Sequence, residues 1–186
     1  MAMMRTAPQL SIHVEAAPQR QVMASVLEGD VDLGVIGENP GHPRLDAWHL
    51  GCEELCLLLP NDVSDPSCLA DLDALGLVDH PDAGSYADDL LARNFPNEYV
   101  GADRLKVRTT VNQIGQIPAP VAEGLGYTLL PSSGVEAFTQ ANLLRIARLP
   151  EQTHLDLWAI GRRGRALTSR AKAALAVFKE ITHSLA

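Results

Sequence analysis

Leu10, Ile12 and Val14 alternate with Ser11, His13 and Glu15, the period of a half-buried strand. Val22, Met23, Val26 and Leu27 then fall at helical spacing, and Gly29 supplies the stop. From Val31 to Ile36 the chain turns almost wholly apolar, which predicts a second and more central strand. Strand, helix and strand over residues 10–36 make a βαβ unit, whose crossover should be right-handed. ENPGHPR (38–44) is turn-rich and reads as a loop. Leu55 to Leu59 is an apolar run ended by Pro60, Leu75 to Val78 a short strand, DHPDAGSY (79–86) a loop, and Ala87 to Phe95 a helix.

A second βαβ unit is expected over residues 105–130. Leu105, Val107 and Thr109 alternate with Lys106, Arg108 and Thr110, giving its first strand. Residues 112–126 should be helical, starting or kinking near Pro118, because Pro118 and Pro120 each remove an amide donor and crowd the preceding turn. Tyr127 to Leu130 is the strand that follows. Leu143 to Ile146 and Leu155 to Ile160 read as further strands. A closing helix begins near residue 168, with Thr168 or Ser169 as N-cap and Leu167, Ala171, Ala174, Leu175, Phe178 and Ile181 as its apolar stripe. The whole predicts two α/β lobes: residues 1–59 with 151–186, and residues 60–150.

The chain has 186 residues, enough to bury a core, with 46% hydrophobic and 20% charged residues. Aromatics are only 4%, so Leu, Val, Ile and Ala must fill that core. The net charge of −8 makes the chain a poor partner for phosphate backbones. Cys52, Cys56 and Cys68 show no disulfide spacing and read as reduced thiols of a cytoplasmic protein. No signal-peptide pattern and no apolar run of membrane-spanning length is present.

Chemistry-bearing motifs are weak. His49, Cys52 and Cys56 lack a spacing that would converge on a metal, since strand positions 49 and 52 face opposite sides, so no metal is expected. Ser132-Ser133-Gly134 does not have the Gly-x-Ser-x-Gly form of a nucleophile elbow. GENPG (37–41) and GLG (124–126) are too short to claim a phosphate loop. RRGR (162–165) reads as a solvated basic turn between strand and helix.

Three stretches nevertheless resemble, in order and spacing, the sensor region of LysR-type transcriptional regulators. They are LEGDVDLGVIG (27–37), EGLGYTLLPSSGV (123–135) and LPEQTHLDLWAIGRRGRALTSRAKAALAVFKEI (149–181). The resemblance implies two Rossmann-like lobes of the type 2 periplasmic-binding-protein kind, closing on a small-molecule effector, with no catalysis and no cofactor. It also implies that Asp32, at the mouth of its strand, accepts hydrogen bonds from turn amides. Against the family pattern, the helix-turn-helix and the first strand and helix of the sensor are missing, with MAMMRTA at most the tail of that helix. DNA binding would then run only through the missing N-terminal part, and a homodimer is the expected assembly.

Ligands of open α/β sheets sit beyond the carboxyl ends of strands. That rule singles out the turn leading to Gln19, where the family places a polar ligand contact. It also selects Thr110, Asn112 and Gln113 after the second lobe's strand, and His80, Ser85 and Tyr86 in a loop resembling one that lines the family's cleft. A small carboxylate is the expected ligand class, because helix N-termini and amide side chains supply donors. The rival reading is a stand-alone α/β ligand-binding protein or enzyme, which would need a nucleophile, an acid–base pair or a metal in the cleft.

Overall fold

The computed structural model describes Met4, Ala7 and residues 9–182. The chain divides into two compact α/β units, one of residues up to Cys52 with those from Asp156, the other of Glu53–Leu155. Two long strands, β2 (Leu45–Pro60) and β7 (His154–Arg162), contribute residues to both.

In the first unit, helix α1 (Gln19–Glu28) ends at Gly29, whose φ of 88° lies in the left-handed region that favours glycine. Strand β1 (Gly34–Ile36) pairs antiparallel with β7, setting Gly34 opposite Ile160 and Ile36 opposite Trp158, and β7 lies next to β2. Alternation along β7 sends neighbouring residues to opposite faces. Ile160 and Trp158 pack with Val26, Ile36, Leu45 and Met23 under α1. Ala159 and Leu157 pack with Leu50, Leu175 and Phe178 under α6 (Ser169–Thr182). Thr168 caps α6 through Oγ1, which accepts the Ala171 N–H at 3.2 Å, and Thr182 Oγ1 donates to the Leu50 carbonyl at 2.8 Å. Gly34 lets α1 settle against the sheet: a Cβ there would stand 2.5 Å from Val22 Cγ1.

In the second unit, β3 (Leu77–Asp79) runs parallel to β4 (Val107–Thr110), and the Val78 N–H donates to the Tyr127 carbonyl at 2.7 Å on its other side. Strands β5 (Thr128–Pro131) and β6 (Leu144–Ile146) both pair antiparallel with β2. Alternation again divides the core. Leu55, Leu57 and Leu59 pack with α2 (Leu69–Leu75) and α3 (Ala83–Asn94), through Leu72, Ala87, Leu90 and Leu91. Cys56 and Leu58 pack with Ile117 and with Val121 of α4 (Pro118–Ala122), and with Leu130 and Val135. Helix α5 (Ser132–Glu136) follows β5 directly. Each fully buried leucine contributes about 1.5–3 kcal/mol relative to exposure.

Several expectations are corrected. Residues 10–18 form no strand; Ile12 is 40% and Val14 84% exposed, because no neighbouring strand among the described residues takes up their backbone groups. The strand expected over 31–36 is only Gly34–Ile36, and it has β7 as its one neighbour among the described residues, so it is an edge strand rather than a central one. Asp32 is exposed and accepts no hydrogen bond among the described residues. The long helix over 112–126 is replaced by a 3-10 turn at Ile114–Gln116 and the short α4, with Pro118 at its first position, where a missing amide costs nothing. Ile181 of the expected stripe is 53% exposed. The loop at 79–86 is shorter than expected, since α3 already begins at Ala83. The suggested helix tail in MAMMRTA falls largely outside the described residues.

Candidate functional site

In the second unit, three segments leave the carboxyl ends of mutually parallel strands. Asp79 of β3 pairs with Thr110 of β4, and the Val111 N–H donates to the Asp79 carbonyl at 2.8 Å. This brings the His80–Tyr86 connection alongside the Thr110–Gln113 connection. On the other side of β3, the chain leaves β5 into Ser132 and Ser133.

The candidate side chains along this edge divide by what they already bind. His80 is buried; its Nε2 donates to the Leu129 carbonyl at 2.9 Å, and its Nδ1 accepts the Asp82 N–H at 3.3 Å. Both ring nitrogens are thus used inside the protein, with the proton on Nε2, and the ring meets Tyr86 edge-on at 5.7 Å. Ser85 Oγ donates to the Asp82 carbonyl at 3.0 Å. Burial pushes the Tyr86 hydroxyl above its ordinary range, so it stays a neutral donor. By contrast, the side chains of Thr110, Asn112 and Gln113 make no hydrogen bond among the described residues, and all three are exposed.

Gln19 belongs to the first unit. As the first residue of α1 it reaches the turn after β1, where Oε1 accepts the Gly37 N–H at 2.8 Å and Nε2 donates to Glu38 at 2.6 Å. Its amide is engaged at both ends.

Glu53 was not singled out from the sequence. It is 5% exposed, and its carboxylate accepts the Ser133 N–H at 3.1 Å. Its negative charge also raises the Tyr86 hydroxyl, so it lies at the same edge. The signal was present: an acidic pair, Glu53-Glu54, opens the apolar run of β2. Which of the two turns inward is decided by β2 pairing and not by composition.

Burial holds the His80 imidazole below its ordinary value of 6.5. The folded state therefore favours the neutral ring. The resulting stability is complete above pH 6.5 and drains as pH falls through the lowered folded value, because the unfolded chain takes up its proton first. Asp65 is lowered chiefly by the Arg148 backbone N–H, and Asp71 chiefly by that of Ser67, but both lose stability only below 3.8. Urea midpoints followed from pH 7 to about pH 5 should fall for the wild type and flatten for His80→Gln. Parallel curves would refute this role.

Burial, followed by the charge of Glu54, drives the Cys56 thiol up to about 12, so it is not a thiolate nucleophile at neutral pH. All three cysteines are free thiols. Among the described residues no three His, Cys, Asp or Glu side chains gather as metal ligands, and no helix is long and apolar enough to cross a membrane.

Residues 1–182 match the LysR substrate binding domain family. The HTH-type transcriptional regulator BbuR of Bordetella bronchiseptica is 31% identical over 150 residues, covering 78% of this chain and 45% of that protein. The chain thus spans less than half the length of this relative. The regulatory domain of Synechocystis CcmR, solved in complex with 2-PG, superposes with a TM-score of 0.74 at 15% identity, over 97% of this chain and 88% of that one. HinK, a LysR family transcriptional regulator from Pseudomonas aeruginosa, gives 0.72 at 18%, over 100% and 64%. The reduced OxyR regulatory domain from the same organism gives 0.69 at 20%, over 98% and 87%. At these identities the structures establish a shared fold, the periplasmic-binding-protein-like fold of type 2.

Proposed function

Because this chain belongs to the LysR substrate binding domain family, we propose that it senses a small-molecule effector and catalyses no reaction. The observation that carries this reading is the edge of the second unit, where Thr110, Asn112 and Gln113 hold unpaired polar groups beside the parallel strand ends. Their donors and acceptors suit a polar ligand without demanding a fixed protonation state. His80, Ser85 and Tyr86 form the adjoining wall; Gln19, in the first unit, is proposed as an effector contact of that unit. A small carboxylate remains the proposed class. Buried Glu53 adds an acceptor that favours a ligand bearing a hydroxyl or amino donor besides its acid group.

In this reading an effector acts by binding one conformation better than another, and the preference passes to a DNA-reading part elsewhere in a full-length regulator. The sensing segment does not itself read DNA, and a homodimer in the cytoplasm is the proposed working form. Against the rival enzyme reading, the Cys56 thiol is buried and protonated.

Calorimetry against aliphatic and aromatic carboxylates, including hydroxy and amino acids, tests the proposal. For a hit, Asn112→Ala, Gln113→Ala and Gln19→Ala should each lose about 0.5–1.5 kcal/mol of binding, a several-fold weakening; the melting temperature should stay unchanged for Asn112→Ala and Gln113→Ala and fall for Gln19→Ala, which also loses the bond to the Gly37 N–H. Unchanged affinity in all three variants would remove these residues from the site.

A further inference from the structure

The basic turn RRGR (162–165) has no part in the proposed effector site, and the fold gives its arginines distinct surroundings. Gly164, with φ of 79°, reverses the chain so that the Arg165 N–H returns to the Arg162 carbonyl at 3.3 Å. The Arg162 guanidinium then lies over the carboxyl end of α1: a Cβ on Gly29 would be 3.0 Å from its Nη1 and 3.9 Å from that of Arg165. Cations are favoured at that end of a helix, which accounts for where Arg162 and Arg165 sit but supplies neither with a counter-ion. Arg163 is held by Asp46, with Nε at 2.9 Å, and by the Pro43 carbonyl, with Nη1 at 3.0 Å.

Arg44 has no such account. Its backbone is fixed, with its N–H on His42 Nδ1 at 3.2 Å and its carbonyl accepting the Arg163 N–H at 2.8 Å. Its side chain makes no hydrogen bond or ion pair among the described residues, and neither does that of Arg162. The two converge with Arg163 on an open pocket of about 350 Å³ lined also by Leu27 and Pro43. Three arginines thus line one space, and Asp46 pairs with only one of them. Charge is also unevenly spread: the second unit carries 15 acidic and 6 basic side chains, the first unit 8 and 9. The acidity of the whole chain therefore does not describe this face.

We propose that the Arg44–Arg162–Arg163 pocket binds a phosphoryl group, free or carried by a small metabolite, at a site separate from the effector site. A guanidinium presents paired N–H donors that match two oxygens of one phosphate, and a dianion balances the two unpaired cations. A monocarboxylate would leave one cation unmatched.

The probes are inorganic phosphate and glycerol phosphate, titrated by calorimetry into the whole chain at constant ionic strength. Saturable binding is expected, weakened about tenfold by Arg44→Gln, whose side chain anchors nothing in the fold. Arg44→Lys should recover only part of it, and Gln113→Ala should leave it unchanged. Equal affinity for the two probes identifies free phosphate as the ligand; tighter binding of the ester identifies a phosphorylated metabolite. The proposal is overturned if neither probe saturates, if chloride at matched ionic strength gives the same heat, or if binding falls with Gln113→Ala and not with Arg44→Gln. That last result would place phosphate in the effector site and leave the sensor reading intact.

Discussion

Gly34→Val is expected to destabilise the first unit by about 3 kcal/mol, at the upper end of what overpacking costs. The first added carbon would already stand 2.5 Å from Val22 Cγ1 and 3.2 Å from both Val26 Cγ2 and Ile160 Cγ1. These atoms belong to two different elements, α1 and β7, so no single rotamer change relieves all of them. Lifting α1 off the sheet would loosen the cluster of Val26, Ile36, Leu45 and Ile160. The neighbouring Val35 points the other way and is 40% exposed, so Val35→Ala should cost less than about 1 kcal/mol. Urea denaturation of both variants decides the matter; equal costs would show that α1 does not rest on Gly34.

Leu58→Ala should cost a similar or larger amount, about 2–5 kcal/mol, this time in the second unit. Leu58 is fully buried, lies opposite Thr128 on one neighbouring strand and Ile146 on the other, and touches the cluster of Val78, Ile117, Val121 and Leu130. Strands on both sides hold its backbone, so the space left by the lost side chain cannot close by a local shift. Against a typical total of about 5–15 kcal/mol, the loss is a large fraction of the stability of the domain. Hydrogen exchange should then show faster opening at Leu129 and Leu130 than at Val35 and Ile36. Uniform acceleration throughout would mean that the two units unfold together.

What the sequence disclosed follows from how local each feature is. The stop at Gly29, the start at Pro118 and the cap at Thr168 depend on one residue and its immediate neighbours, and each was legible. The alternation at Leu10, Ile12 and Val14 describes two faces but cannot supply the neighbouring strand that would make them a strand. For the same reason the apolar run ending at Ile36 did not tell an edge from a centre. Around the candidate site, the connections at Thr110–Gln113 and His80–Tyr86 were found because strand ends can be read from pattern. The bond from His80 to Leu129 spans 49 residues, and the bond from Ser133 to Glu53 spans 80. Such pairings are tertiary, and no window of sequence contains both partners.

The first unit is discontinuous in the chain: α1 and β1 precede the second unit, whereas most of β7 and all of α6 follow it. A ribosome therefore releases the second unit complete while the first still lacks the strand that pairs with β1 and the helix that covers Leu50. During synthesis Val26, Ile36 and Leu45 wait uncovered for more than a hundred residues, a window in which chaperones have apolar chain to hold. The nascent protein is thus most exposed to misassembly in the half that emerges first.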